Sequence, residues 1–571
     1  VFLLTFEHCM ADSVEVSAST RPTRAAAMLL LATCCLSGVT WEGGAARAAA
    51  ATPALVRPSA ELTAPDSAPL DAFGSALAVS GNTLVVGAPN HPGTGGGGEG
   101  AVYVYRKPAA GWSHLTLPVA QLTPSDGTEG EHFGQSVAIS GDTVVVGAPD
   151  AGPTSTGAAY VFVRPRGGWA QVGYEDAKLT IGGGAAFDKL GAAVGVSGGT
   201  VVASAPDRDV AGITDAGAAY VFTAPATGWV STTTPAATLS PSGAARGDQF
   251  GTALAISGAT VVGTSIRHVA NSRQGVADVF RMPSTGWTGS RHQVATLEDV
   301  RVGTGTAFGS SISMTGTTVA AGTGDPSTPA SGDAAVHVFA APTSGWTGIH
   351  TDSATLRRSG AAPTDQFGVA TAISANRIVA GAPGQAGAAG DAYLYAVRSS
   401  GWLNSDTPVA ELRPVGLVAG DGYGSAVAAQ TGLVLVSAPN HAVRGNASAG
   451  AVYLFSGPQL TAASETRHRF RARHHRPVLD PARLPAGGTA FRFTLDRPVR
   501  VALTIRVRTK NGHQRAVGTL TGTAREGANR WYFAGRFPGR HKLPAGHYTA
   551  ILTASNRVNS VHHVYPFRIR N

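Results

Sequence analysis

The chain is short of sulfur, charge and aromatic rings. Its three cysteines, Cys9, Cys34 and Cys35, sit near the N-terminus, and only 14% of the 571 residues are charged and 7% aromatic. Everything after residue 35 therefore has neither disulfides nor thiol chemistry to draw on. The N-terminal apolar run "AAAMLLLATCCLSGV" (25–39) falls short of the roughly 20 residues that span a bilayer, so no transmembrane anchor is expected. A His-Glu-x-x-His pair and a paired-cysteine motif are both missing. A catalytic site assembled from side chains scattered over several units would leave no spacing to read. What the chain has instead is glycine, 74 residues of it. With so little charge, that composition suits tight turns and β-structure rather than helices.

The N-terminal 1–48 reads as a secretory signal: Arg21 and Arg24, the apolar run, then an Ala-x-Ala site at Ala46 and Ala48. Residues before Met10, or even Met28, are expected to precede the true reading frame. "LATC" (31–34) is an imperfect lipoprotein box with Thr33 where Gly or Ala is expected, so cleavage is favoured over lipidation at Cys34. The net charge of +9 hides two opposed parts. Residues 460–571 hold 21 Lys and Arg against 4 Asp and Glu, or +17, leaving 23 against 31, or −8, in residues 1–459. Such asymmetry points to two modules with different surfaces.

One sentence of sequence recurs. "DAFGSALAVSGNTLVVGAPN" (71–90) returns as "EHFGQSVAISGDTVVVGAPD" (131–150) and "DQFGVATAISANRIVAGAPG" (365–384). The aromatic-Gly pairs are Phe73-Gly74, Phe133-Gly134, Phe250-Gly251, Phe308-Gly309, Phe367-Gly368 and Tyr423-Gly424, with Leu190-Gly191 as the variant, at intervals of 60, 57, 60, 58, 59 and 56 residues. A period so steady means a repeat architecture. Each copy holds four β patterns: a small-residue strand, a tight turn, an apolar strand such as "TVVVGAP" (143–149) that suits burial on both faces, and two more strands such as "AAYVF" (158–162) and "AKLTI" (177–181). Four strands per unit predict the blades of a β-propeller. The seventh unit stops at "AVYLF" (451–455), while "AELT" (60–63) precedes the first aromatic-Gly pair. The fold expected is all-β: a seven-bladed β-propeller over 59–456, closed by its N-terminal strand so that no edge is left open, followed by a small β-sandwich.

An aromatic-Gly pair followed 14 residues later by Gly-Ala-Pro (Gly87-Ala88-Pro89, Gly147-Ala148-Pro149, Gly381-Ala382-Pro383) resembles the FG-GAP repeat of integrin α-subunit propellers and their secreted bacterial relatives. The resemblance spans about 60–456 and implies an extracellular binding or adhesion role. Copies 3 and 7 place Ser204 and Ser437 at the motif's first position, and copies 4 and 5 lapse to "GTS" (263–265) and "GTG" (322–324). Calcium-binding members of the family carry Asp-x-Asp-x-Asp-Gly between the first two strands. Here those loops are "SGNT", "SGDT", "SGGT", "SGAT", "TGTT", "SANR" and "QTGL", too short to wrap an ion needing roughly 6–8 oxygens. No metal and no cofactor is expected; calcium stays the alternative, with Asp207, Asp209 and Asp215 of the copy 3 variable loop as the only other acidic cluster.

The repeated aromatics, and the tryptophans Trp112, Trp169, Trp229, Trp287, Trp346 and Trp402, are expected to pack. Two positions before the aromatic stand Asp71, Glu131, Asp188, Asp248, Asp365 and Asp421, with Thr306 the exception. A turn-making role is favoured over a cation ring, since every unit needs the turn. Recognition is expected on the variable loops between second and third strands: Asn90 and His91 in copy 1, Asp150 in copy 2, Asp207 and Arg208 in copy 3, Asn440 and His441 in copy 7. Ring closure would make copies 1 and 7 neighbours, so His91 and His441 are candidates to share a ligand.

The basic stretch 457–482 is expected to be a linker, and 483–571, with six alternating strands, an Ig-like sandwich. The reading is an exported, monomeric, non-catalytic binding protein, secreted or held at the cell surface. Its partners would be an envelope polymer, a glycan or an extracellular protein; export argues against nucleic acid. The alternative is an extracellular propeller enzyme acting on polysaccharide or another envelope polymer.

Overall fold

The computed structural model describes residues 53–570 apart from 94–96, 110, 113–114, 116, 172, 271–272, 300–306, 325–333, 458–459, 474, 481–487, 496, 510–512, 539–541 and 559. The expected signal at 1–48, with its cysteines, lies outside the described residues.

The protein is all-β, built from repeated small sheets of the kind that make propeller blades. In copy 2 the strands are Ser136–Ser140, Thr143–Ala148, Ala158–Val163 and Ala177–Leu179, paired in chain order as an antiparallel meander. Copies 1, 3, 4, 5 and 6 repeat that order. Copy 7 supplies three strands, and the fourth place is taken by Ala60–Leu62, in register Ala60↔Leu454, Glu61↔Tyr453, Leu62↔Val452. Three sheets carry a fifth strand in parallel: Gly289–Arg291 on Ala237–Leu239, Gly348–Thr351 on Ala295–Glu298, and Ala54–Val56 on Ala410–Leu412. The first strand of each copy touches the first strand of the next, and that of copy 7, Val427–Gln430, touches that of copy 1, Ala76–Ser80.

The repeated sequence explains these contacts. Second strands are buried along their length; Thr83–Ala88 is buried at every position. Each inward Val or Leu adds roughly 1.5–3 kcal/mol of apolar burial. Phe133 is fully buried among Val102, Val104 and Leu122 of copy 1 and Val146, Tyr160 and Phe162 of its own copy. The aromatic thus seals one sheet to the next. Four of the six tryptophans, Trp112, Trp169, Trp287 and Trp346, are buried too. In all seven copies the glycine after the aromatic has φ between 88° and 99°. Its N–H donates to the carbonyl of the Gly-Ala-Pro position of its own copy, as in Gly134 N to Gly147 O at 3.0 Å and Gly191 N to Ser204 O at 2.8 Å. A methyl group on Gly87 would run into the Gly134 carbonyl of the next copy. The two halves of the motif are therefore the two sides of one backbone contact between neighbouring sheets. Serines of the tight turns add a second link: Ser80 Oγ accepts from Gly141 N, Ser140 Oγ from Gly198 N, and Ser197 Oγ from Gly258 N, at 3.0–3.1 Å.

The C-terminal part packs two sheets on one core. One orders Leu460–Glu465, Thr489–Leu495, Gly527–Phe533 and Val478–Leu479; the other orders Arg469–Arg471, Ser560–Arg570, Gly546–Ser555, Val499–Arg508 and Gln514–Ala524. Phe491, Phe493, Trp531 and Phe533 of the first meet Leu503, Ile505, Leu552 and Phe567 of the second. The stretch expected to be a linker differs: three of these strands lie within 457–482. Its arginines mask an alternation, for Phe470 is buried between exposed Arg469 and Arg471. This part also touches the repeats, because Val558 is buried among Val379, Leu394, Val434 and Phe455. Asn556 Nδ2 donates to Ser456 O at 3.1 Å, and Arg377 Nη1 to Arg557 O at 2.8 Å.

Candidate functional site

The loops between second and third strands meet the acidic residue that precedes each aromatic. Asp71 Oδ2 accepts from Ala68 N, Asp188 Oδ2 from Ala185 N and Asp248 Oδ2 from Ala245 N, all at 2.6 Å. Asp365 and Asp421 do the same with Ala362 N and Val418 N at 2.9 and 2.7 Å. Glu131, one carbon longer, takes the Thr128 hydroxyl at 3.0 Å and reaches Gly152 N at 3.2 Å. The turn these carboxylates close is strained. The residue between acid and aromatic, or its equivalent in copy 5, is left-handed in every copy: Ala72, His132, Lys189, Gln249, Ala307 and Gln366, with Gly422 the one glycine. A non-glycine residue there costs on the order of 1 kcal/mol or more, and the carboxylate bond offsets it. Thr306 lies outside the described residues.

Sequence reasoning missed a second regularity. Twenty residues after the acid stands a base in four copies. His91 Nδ1 is 3.2 Å from Asp71, His268 Nδ1 2.8 Å from Asp248 and His441 Nδ1 2.9 Å from Asp421, and Arg208 pairs with Asp188. In copy 6 the base comes from Arg358, seven residues before Asp365, at 2.8 Å. The constant spacing of 20 was readable from the sequence. These pairs tie the variable loop to the turn ahead of the first strand.

The seven candidate residues fall on this frame. His91 is 8% exposed, with Nε2 3.4 Å from Asp66 as well. Burial pulls its pKa down, but the Asp71 bond and the charges of Asp71, Asp66 and Glu99 outweigh it and hold it above the ordinary value. Asn90 is exposed and donates to Leu70 O at 3.1 Å. Asp150 accepts His132 Nδ1 at 2.7 Å. Asp207 binds Gln249 Nε2 of copy 4 and Lys189 Nζ of its own copy, the latter at 3.2 Å. Arg208 also reaches Gly183 O at 3.0 Å. His441 faces Asp421, while the loop after it reaches copy 1, with Asn446 Nδ2 on Ser67 O at 2.7 Å and Leu70 N on Ala447 O at 2.9 Å. His91 and His441 each face the acid of their own copy. Asn440 is exposed and lines a depression of about 340 Å³ with Gln366, Val369, Pro383 and Ser425, between copies 6 and 7.

Third strands carry the strongest electrostatic anomaly. One register position holds Tyr103, Tyr160, Tyr220, Tyr393 and Tyr453, but Asp278 in copy 4 and His337 in copy 5. Tyr103 donates to Asp66 at 2.6 Å and Tyr160 to Asp126 at 3.1 Å. Asp278 accepts Thr296 Oγ1 at 2.7 Å. Burial pushes its pKa up to about 6, against the opposing Thr296 bond and His268 charge.

The FG-GAP repeat model matches residues 57–105, 117–162, 174–222 and 350–395. This chain carries FG-GAP repeats. Each match runs from the fourth strand of one unit through the first three strands of the next, and the four are centred on copies 1, 2, 3 and 6. No curated protein matches the chain. Among solved structures, the periplasmic gluconolactonase of Pseudomonas aeruginosa is 17% identical, over 60% of this chain and 89% of that one, with a TM-score of 0.35. PorZ, a surface component of the type-IX secretion system of Porphyromonas gingivalis, is 11% identical over 89% of this chain and 60% of its own, with a TM-score of 0.36.

Proposed function

We propose that the chain is an exported binding protein: a seven-bladed FG-GAP propeller closed by Ala60–Leu62, whose variable loops select a ligand while the basic sandwich holds an anionic envelope polymer. The observation that carries this reading is a block of four arginines. Arg469 and Arg471 lie directly beside Arg568 and Arg570 on adjacent parallel strands. All four are exposed, opposite buried Phe470, Phe567 and Ile569. None meets a carboxylate among the described residues. Like charges facing across a ladder are unfavourable, and a polyanion relieves that repulsion. The loop face adds selectivity through its exposed Asn90 and Asn440 and the depression that Asn440 lines. Catalysis is not part of this reading: His91, Arg208, His268 and His441 are each held by the acid of their own copy.

The test uses the full chain and the variant R469Q/R471Q/R568Q/R570Q against an immobilised polyphosphate or polyuronate. Exposed charges are screened within about 10 Å at 0.1 M salt. Parent binding should weaken steeply with added NaCl, and the variant should bind many-fold more weakly at low salt with little salt dependence left. Equal affinity and equal salt dependence of the two proteins would sink the assignment.

A further inference from the structure

We propose that Asp299, His337 and Asp352 form a site for one divalent cation of the zinc-like class. The three come from separate places: Asp299 follows the fourth strand of copy 4, His337 sits on the third strand of copy 5, and Asp352 precedes the fourth strand of copy 5. Their side chains are 0%, 0% and 6% exposed. His337 Nδ1 lies 3.1 Å from Asp299 Oδ2 and 3.4 Å from Asp352 Oδ2. One ligand atom from each, all mutually within 4.8 Å, make a mixed nitrogen–oxygen donor set. Zinc binds such donors at roughly 2.0–2.2 Å, which puts neighbouring donors of a tetrahedron about 3.4 Å apart and those at right angles about 3.0 Å apart. The two separations from His337 Nδ1 to the carboxylates fall on those edges.

The chemistry of the set points the same way. Two carboxylates and one imidazole form the mixed oxygen–nitrogen donor set that a zinc-like dication takes. Thr355 Oγ1 donates to Asp352 Oδ2 at 2.6 Å, the kind of outer contact that orients a ligating carboxylate. Calcium and magnesium ask for more oxygens and no imidazole. The loop pairs described above are different: each sets its base against the acid of its own turn. Here two carboxylates converge on one ring nitrogen, where five other copies place a tyrosine that needs no ion. His337 keeps the tyrosine's packing, since its ring meets Phe308 edge-on at 5.6 Å, as Tyr160 meets Phe133 at 5.5 Å.

The test is metal analysis of untagged full chain, stripped with a chelator and dialysed against micromolar zinc. The expected result is about one zinc per chain, retained against excess calcium and magnesium, with a rise in melting temperature on loading. His337→Tyr restores the residue of the other copies, so it should fold and lose at least tenfold in zinc affinity; Asp352→Asn provides a second variant with the same expectation. A parent with no zinc above the buffer blank, or a His337→Tyr protein that holds as much zinc as the parent, would overturn the site and leave a buried ion-pair cluster.

Discussion

Copies 2 and 5 share a fold and differ in what they bury. In copy 2, Phe133 packs on Tyr160, the tyrosine hydroxyl finds Asp126, and Glu131 closes the turn. In copy 5, Phe308 packs on His337, two carboxylates face that ring, and Thr306 stands where the acid should be. The backbone register is the same in both. A repeat separates two kinds of constraint. What recurs is needed by every sheet to close on its neighbour. What departs, while costing burial of ionisable groups, calls for a local reason.

The largest effect should come from breaking a recurring contact. Phe133→Ala empties a fully buried site and should cost roughly 3–5 kcal/mol in denaturant unfolding. Phe133→Leu should be much milder, because Leu190 fills the same place in copy 3 with 0% exposure. Equal damage from both would show that the ring does more than fill volume.

Next comes the departure in copy 4. Asp278 is 2% exposed and its pKa is pushed up to about 6. A carboxyl whose folded pKa is raised binds its proton more tightly when folded, so stability falls as pH rises from its ordinary value near 4 through about 6. Asp278→Asn keeps an acceptor for Thr296 and removes the charge. It should be nearly neutral at pH 4 and stabilising by up to roughly 3 kcal/mol at pH 7. A variant that is destabilised at both pH values would mean the carboxylate is satisfied in its charged form.

The smallest effect belongs to the strained turn. Ala72 has φ 55°, and Ala72→Gly should stabilise by roughly 0.5–1 kcal/mol. A loss of stability would show that the turn is not strained.

The sequence carried the repeats well because they are written by period and pattern: the four strands per copy, the buried aromatics and the pairing of Ala60–Leu62 with Val452–Leu454 follow from them. It hid the strands inside 457–482, where arginine dominates the composition and the alternation runs for only three residues at Arg469–Arg471. It hid the cluster of Asp299, His337 and Asp352 more deeply. Those residues are 38 and 15 positions apart, and only the juxtaposition of two sheets brings them together. The acid–base spacing of 20 sits between these cases, legible once the acid is known to be a turn residue rather than a ligand.

The most direct test of the division between recurring and departing positions is a reciprocal exchange, Tyr160→His and His337→Tyr, each in the full chain, with thermal unfolding followed with and without zinc. Tyr160→His should lower the melting temperature by several degrees and gain no response to zinc, since a cavity opens and the nearby carboxylates are already engaged, Asp126 by Lys178, Glu175 by Ser125 and Glu131 by its turn. His337→Tyr should melt like the zinc-free parent and lack the parent's zinc-dependent rise. A tolerated Tyr160→His together with an unfolded His337→Tyr would contradict the account.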